Sequence, residues 1–201
     1  MTIPGFEHSF TAQNFKIYRR EYTLLGDKDK MLDKTHMKLY LQKVEKQDAV
    51  EVISILRKSA EWMLSKGIVQ RPLDWLDSIE SELILSVKSG NFYFPIYHGE
   101  PVGVVEVLTA PEKIWKYDSS PSIYLHKLAI KRENAGSGVG VSVIKLLTSW
   151  ASKNKKRYVR LDCVASNIKL RNYYESNDFK LKGIESNELV ELALYEKQTK
   201  I

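Results

Sequence analysis

The period of the hydrophobic positions changes several times along the chain, and each change marks an element. Residues 38–44 alternate as a strand does. From Gln47 or Asp48 onward, Ala49, Val52, Ile53, Leu56, Ala60, Met63 and Leu64 recur at the three- and four-residue steps of an amphipathic helix, which Gly67 ends. A second helix is expected to start at Pro72 and stop at Gly90, with Leu73, Leu76, Ile79, Leu83 and Val87 on one stripe. Strands over 91–97 and 102–108 flank His98-Gly99-Glu100-Pro101, which has hairpin-turn composition, and a looser loop follows over 109–120. Residues 123–130 are apolar on both alternations, the pattern of a central strand buried on both faces. A helix over 138–154 carries Val143, Leu146, Leu147 and Trp150 on one stripe; a strand over 157–164, a helix over 167–176 and an antiparallel pair over 179–184 and 189–195 complete the order. Residues 1–36 lack this patterning, with six basic and five acidic side chains nearly cancelling, and read as an extension ahead of a domain that begins at Met37.

Composition narrows the class. With 201 residues, 43% of them hydrophobic, the chain suits one well-buried domain. It has no apolar run near 18 residues, and its first residues lack the charged-then-apolar order of a signal peptide, so a soluble, cytoplasmic protein without a membrane partner is expected. Cys163 is the single cysteine, which excludes an internal disulfide and a cysteine-based zinc cluster. The net charge of +6 is unevenly placed: residues 131–171 hold ten Lys and Arg against Glu133 and Asp162, a net of +8 that leaves −2 for the rest. No helix-turn-helix, zinc or RNP-type pattern accompanies that charge, so nucleic acid is not the expected partner; an anionic ligand with several phosphates suits it better.

Glycines at alternate positions (Gly136, Gly138, Gly140) stand between the 123–130 strand and the helix that follows. Glycines at a helix start let a ligand approach the backbone, and the unpaired N–H groups of the first turn favour phosphate. The spacing is GxGxG, which is neither the Walker nor the Rossmann pattern.

That turn resembles the acyl-CoA pyrophosphate loop of the GNAT superfamily of N-acetyltransferases, Q/R-x-x-G-x-G/A, with Gly138 and Gly140 at the small positions and Ala135 where the family carries Gln or Arg. Downstream, NIKLRNYYESNDF is similar to the family's N-x-x-a-x-x-x-Y-e-x-x-G-F block: Asn167, Tyr174 and Phe179 match, while Asp178 replaces the usual glycine, so an Asp must make the turn after the helix, with Asn177 in the cap. The run AEWMLSKGIVQRPLDW (residues 60–75) resembles one in bacterial members of unassigned substrate. The resemblance covers residues 37–195 and implies an α/β GNAT fold, a mixed, mostly antiparallel sheet of about seven strands flanked by about four helices. It also implies an enzyme that moves an acetyl group from acetyl-CoA, with no metal, to a primary amine. The expected acceptor is a small molecule, with a protein amine behind it. The alternative is a non-catalytic acyl-CoA-binding sensor or scaffold, and either is compatible with a homodimer.

By the same resemblance, Leu128, Ala129 and Ile130 pair with the pantetheine arm, the Leu128 N–H also polarising the acetyl carbonyl. Gly136, Ser137, Gly138, Val139, Gly140 and Val141 face the pyrophosphate, and Asn167 and Lys169 meet the coenzyme, unless Asn167 caps its helix instead. Tyr174 is the expected proton donor to the thiolate, with Tyr173 beside it as the obvious rival. For the proton acceptor, Glu106 interrupts an apolar strand and is either a base or a solvent-facing edge charge. His126 lies two residues before Leu128, hence on the same face of a regular strand, and is a proton relay or a core histidine. Asp162 is a third candidate or a partner of Arg160 or Lys127. A strand cysteine without a His/Asp arrangement is not an acyl nucleophile. Trp62, Glu61 and Trp75 are the candidate acceptor wall, the tryptophans alternatively being core.

Overall fold

The computed structural model describes residues 39–68, 70, 73–115, 118, 120–186 and 190–200; the expected extension over 1–36 and the Pro72 helix start lie outside them. In chain order the elements are β1 (Tyr40–Lys43), α1 (Ala49–Ser65), α2 (Leu73–Ser78), α3 (Glu80–Lys88), β2 (Phe92–Tyr97), β3 (Glu100–Pro101), β4 (Gly103–Leu108), β5 (Ser122–Ile130), α4 (Val139–Lys153), β6 (Tyr158–Val164), α5 (Ile168–Glu175), β7 (Lys180–Ser186) and β8 (Glu191–Gln198). The strands form one sheet in the order β1-β2-β4-β5-β6-β8-β7, with β3 against β2. The β5–β6 pair is parallel and the other described pairs are antiparallel.

Two local readings are revised. The expected second helix is two helices, because Ile79 leaves helical geometry at φ −105° and ψ 9° before α3 begins. The four-residue turn tightens to two: His98 and Gly99 both have positive φ (55° and 83°), and Glu100 and Pro101 already pair with Tyr97 and Ile96.

Burial follows the predicted stripes except at Leu64, in the last turn of α1, which is 66% exposed. Val52, Ile55, Leu56 and Ala60 of α1 and Leu83 and Val87 of α3 pack on Phe92, Phe94, Ile96, Val104 and Ala129 of the sheet. The alternating residues Tyr93, Val105, Val107 and Leu125 are buried as well, and α4 lies along β5 and β6 with Val143, Ile144, Leu147 and Trp150 fully inside. The sheet is therefore covered on both faces at β5, as its two-sided apolar pattern requires. Among the described residues no helix is long and apolar enough to cross a membrane.

Candidate active site

The parallel ladder joins residues 122–125 of β5 to residues 158–161 of β6 and ends there. Beyond it β5 continues against β4 as far as Ile130, while β6 continues against β8 as far as Val164, so each strand follows a different neighbour and the pair opens. An extended ligand arm needs such an opening to lie beside residues 128–130.

A bulge shapes the opening. Val104 pairs with Ala129 and Glu106 with His126, so Lys127 and Leu128 together stand opposite Val105. Lys127 takes φ +50°, an uncommon conformation for a residue with a side chain. Cross-strand partners share a face, so the bulge puts Ala129, and not Leu128, on the face of His126; the expected shared face of His126 and Leu128 is corrected. The bulge is tied down by a partly buried ion pair, Lys127 Nζ donating to Glu106 Oε2 at 2.6 Å. Ser86 Oγ donates to the other Glu106 oxygen, and Asn91 Nδ2 donates to Ser86 Oγ at 3.2 Å. Glu106 is thus no solvent-facing edge charge: β4 is an interior strand and Glu106 is 4% exposed. With both oxygens engaged, it anchors β5.

At the far end of β5 a short turn (Arg132–Asn134) leads to Gly136 and Gly138, both with positive φ (79° and 81°), and Gly138 is the N-cap of α4. A glycine cap has no side chain to bond the first-turn N–H groups of Val139, Gly140 and Val141, and Ala135 to Gly138 are exposed, so this helix start could cradle an anion. The Ser137 hydroxyl turns back to donate to Asn134 O at 2.6 Å.

His126 stands where the ladder opens, between two carboxylates. Its Nε2 is 2.9 Å from Glu112 Oε1 and its Nδ1 is 3.7 Å from Asp162 Oδ1. Burial works against the imidazolium, but the close Glu112 carboxylate, with the charge of Asp162, outweighs it and holds the pKa above the ordinary 6.5. Asp162 therefore serves His126, while Arg160 pairs with Glu196 and Asp118. The ligating atoms of Glu112, His126 and Asp162 lie within 4.8 Å of one another, near enough to hold a proton in common or a small cation. Glu112, in the loop after β4, was not among the expected residues; nothing in a loop with no period marks it. Cys163 is fully buried and burial, with Asp162 beside it, pushes its thiol up to about 12, so it is not a nucleophile.

The two tyrosines of α5 diverge. Tyr174 is buried, 5.7 Å from the Phe179 ring and 6.1 Å from that of Tyr195, while Tyr173 is half-buried and directed at α4. The helix ends as expected on Asp178 at φ +65°, with Asn177 Nδ2 donating to Tyr173 O at 2.7 Å.

Residues 51–179, which contain the opening, the glycine cradle and the tyrosine pair, match the profile of the acetyltransferase (GNAT) family. The chain belongs to that family. As a GNAT protein it is an acetyl-CoA-dependent acetyltransferase. It is 29% identical over 150 residues to the uncharacterized N-acetyltransferase YesJ of Bacillus subtilis, covering 70% of this chain and 81% of that one. Its fold is similar to a GNAT-family acetyltransferase from Listeria monocytogenes (TM-score 0.66, 18% identity, 83% of this chain and 98% of that one). It is also similar to the aminoglycoside acetyltransferase AAC(6')-Ib in complex with coenzyme A (TM-score 0.62, 17% identity, 80% and 95%). The mixed, mostly antiparallel sheet expected of a GNAT fold is the one observed, with eight strands and five α-helices among the described residues.

The structure places the other expected site residues as follows. Asn167 caps α5, accepting from Leu170 N at 3.1 Å, and its Nδ2 donates to Gln70 Oε1 at 3.1 Å; it links α5 to the segment between α1 and α2. Lys169 is exposed on α5. Of the expected acceptor wall, Trp62 is covered by the Arg132 guanidinium 3.8 Å from its ring, Trp75 packs against the core, and Glu61 is exposed on α1. Part of the positive charge is internal too: Arg160 is fully buried and Arg171 donates to Tyr195 Oη at 3.1 Å.

Proposed function

We propose that this acetyltransferase moves the acetyl group of acetyl-CoA to a primary amine of a small, cationic molecule, by direct attack in a ternary complex. The observation that carries the proposal is His126, set at the β5–β6 opening between Glu112 and Asp162. An amine arrives as an ammonium, which this acidic surrounding favours, and must lose a proton to become a nucleophile. Neutral His126 accepts that proton, and the resulting imidazolium is held by the two carboxylates. The amine nitrogen then forms its bond to the acetyl carbonyl carbon, whose oxygen is polarised by the Leu128 N–H, and the carbon–sulfur bond breaks. Tyr174 returns a proton to the departing thiolate and is reprotonated, directly or through solvent, by the second proton the nitrogen sheds as the amide forms; an ordinary phenol is protonated at neutral pH and acidic enough for the task. The first-turn N–H groups of α4 hold the diphosphate, and residues 128–130 align the arm, so the reacting atoms meet without a covalent enzyme intermediate. Protein amines rank second as acceptors.

The test is thiol release from acetyl-CoA across small primary amines and short peptides. Release with small cationic amines, falling about 100-fold on Tyr174→Phe, is expected. Release with peptides alone would replace the acceptor class, and full activity of Tyr174→Phe would remove Tyr174 as the acid.

A further inference from the structure

Tyr173 and Tyr174 are neighbours whose rings lie 5.6 Å apart and are tilted by 59°, and the Tyr173 hydroxyl reaches α4. A methyl group on Gly140 would stand 2.7 Å from the Tyr173 hydroxyl oxygen, against 3.8 Å from Tyr173 Cζ and 3.7 Å from Ile130 Cγ1. The hydroxyl is thus the part of the ring nearest α4, and it lies over the second residue of the helix, where β5 ends and the anion cradle begins. Burial raises its pKa, so it keeps its proton and remains a donor. Across the cradle, Ala135 is exposed and ends at Cβ, so the loop itself offers no long side-chain donor at that position.

Building on the acetyl-CoA reading, we infer that Tyr173 supplies from α5 the side-chain hydrogen bond to the coenzyme's diphosphate that Ala135 cannot make. Gly140 then has a second reason to lack a side chain: the phenol rests on it. The division of labour within the pair follows, with Tyr173 binding and Tyr174 donating the proton.

Calorimetric titration of wild type and Tyr173→Phe with acetyl-CoA and with S-acetylpantetheine, which lacks the diphosphate, tests the assignment. Loss of one hydrogen bond to a charged oxygen should weaken acetyl-CoA binding about tenfold and leave S-acetylpantetheine unchanged, with KM for acetyl-CoA raised and kcat kept. Equal binding of acetyl-CoA by both proteins, or equal weakening for both ligands, would overturn the inference. No binding by wild type would overturn the acetyl-CoA reading beneath it. Gly140→Ala gives an independent check: its methyl meets the hydroxyl, so acetyl-CoA binding should fall in the wild-type background and less so with Tyr173→Phe. An equal fall in both backgrounds would refute the placement of the hydroxyl.

Discussion

β5 and β6 run side by side over their first half and part over the second, and the two halves are built for different ends. In the first half, residues 122–125 and 158–161 are in register and Arg160 is fully buried, its guanidinium satisfied by Glu196 at 2.8 Å, by Asp118 and by Asp118 O at 3.0 Å. Every charge there has a partner, and the chemistry it offers is none. In the second half the strands diverge, β5 bulges at Lys127, and His126 keeps 19% of its side chain exposed between carboxylates that are also partly exposed. The same sheet that hides one ionisable group completely leaves another within reach of solvent a residue beyond the ladder's end. The difference teaches that the site is made by ending a ladder, and that the zippered half supplies the rigidity against which the open half is held.

The comparison can be broken from its stable side first. Arg160→Met leaves buried Glu196 with only the more distant, half-exposed Lys182 as an ion-pair partner (3.7 Å), for which a loss of about 3–5 kcal/mol is expected in urea unfolding, with the specific activity of the folded fraction retained. A stability near wild type would show that the first half is not the rigid support described. The joint between the halves should respond less. Lys127→Met strands Glu106 and should cost about 1–3 kcal/mol, whereas Lys127→Gly with Glu106→Gln removes both charges and suits the positive φ, recovering much of that loss. Equal losses for the two variants would mean that the ion pair does not hold the bulge.

Much of this was legible before any coordinates. The glycine spacing found the cradle because the positive φ of Gly136 and Gly138 leaves a compositional mark, and the two-sided apolar run found β5 because burial on both faces does too. The Asp178 turn was legible as well, since the helix had to end before Phe179. The bulge was not, because its left-handed residue is a lysine, and no local signal distinguishes Lys127 from a residue in a regular strand. That one irregularity assigned His126 and Leu128 to the wrong relation. The edge-charge alternative for Glu106 fails for a topological reason: β4 becomes interior only once β5 pairs with it. Contacts between distant segments, such as Arg132 on Trp62, Glu112 on His126 and Tyr173 over Gly140, leave no periodic trace in either partner.

The central claim is that His126, held by Glu112, takes the proton from the amine, and the pH dependence of kcat/KM tests it most directly. A base works when neutral, and its pKa is raised, so wild-type activity should climb with pH and level off above 6.5. Glu112→Gln removes the chief contribution raising that pKa and should move the acid limb to lower pH. In His126→Gln the limb should vanish with a rate loss of about 10²- to 10⁴-fold. A His126→Gln enzyme that keeps both its rate and the same acid limb would contradict the account.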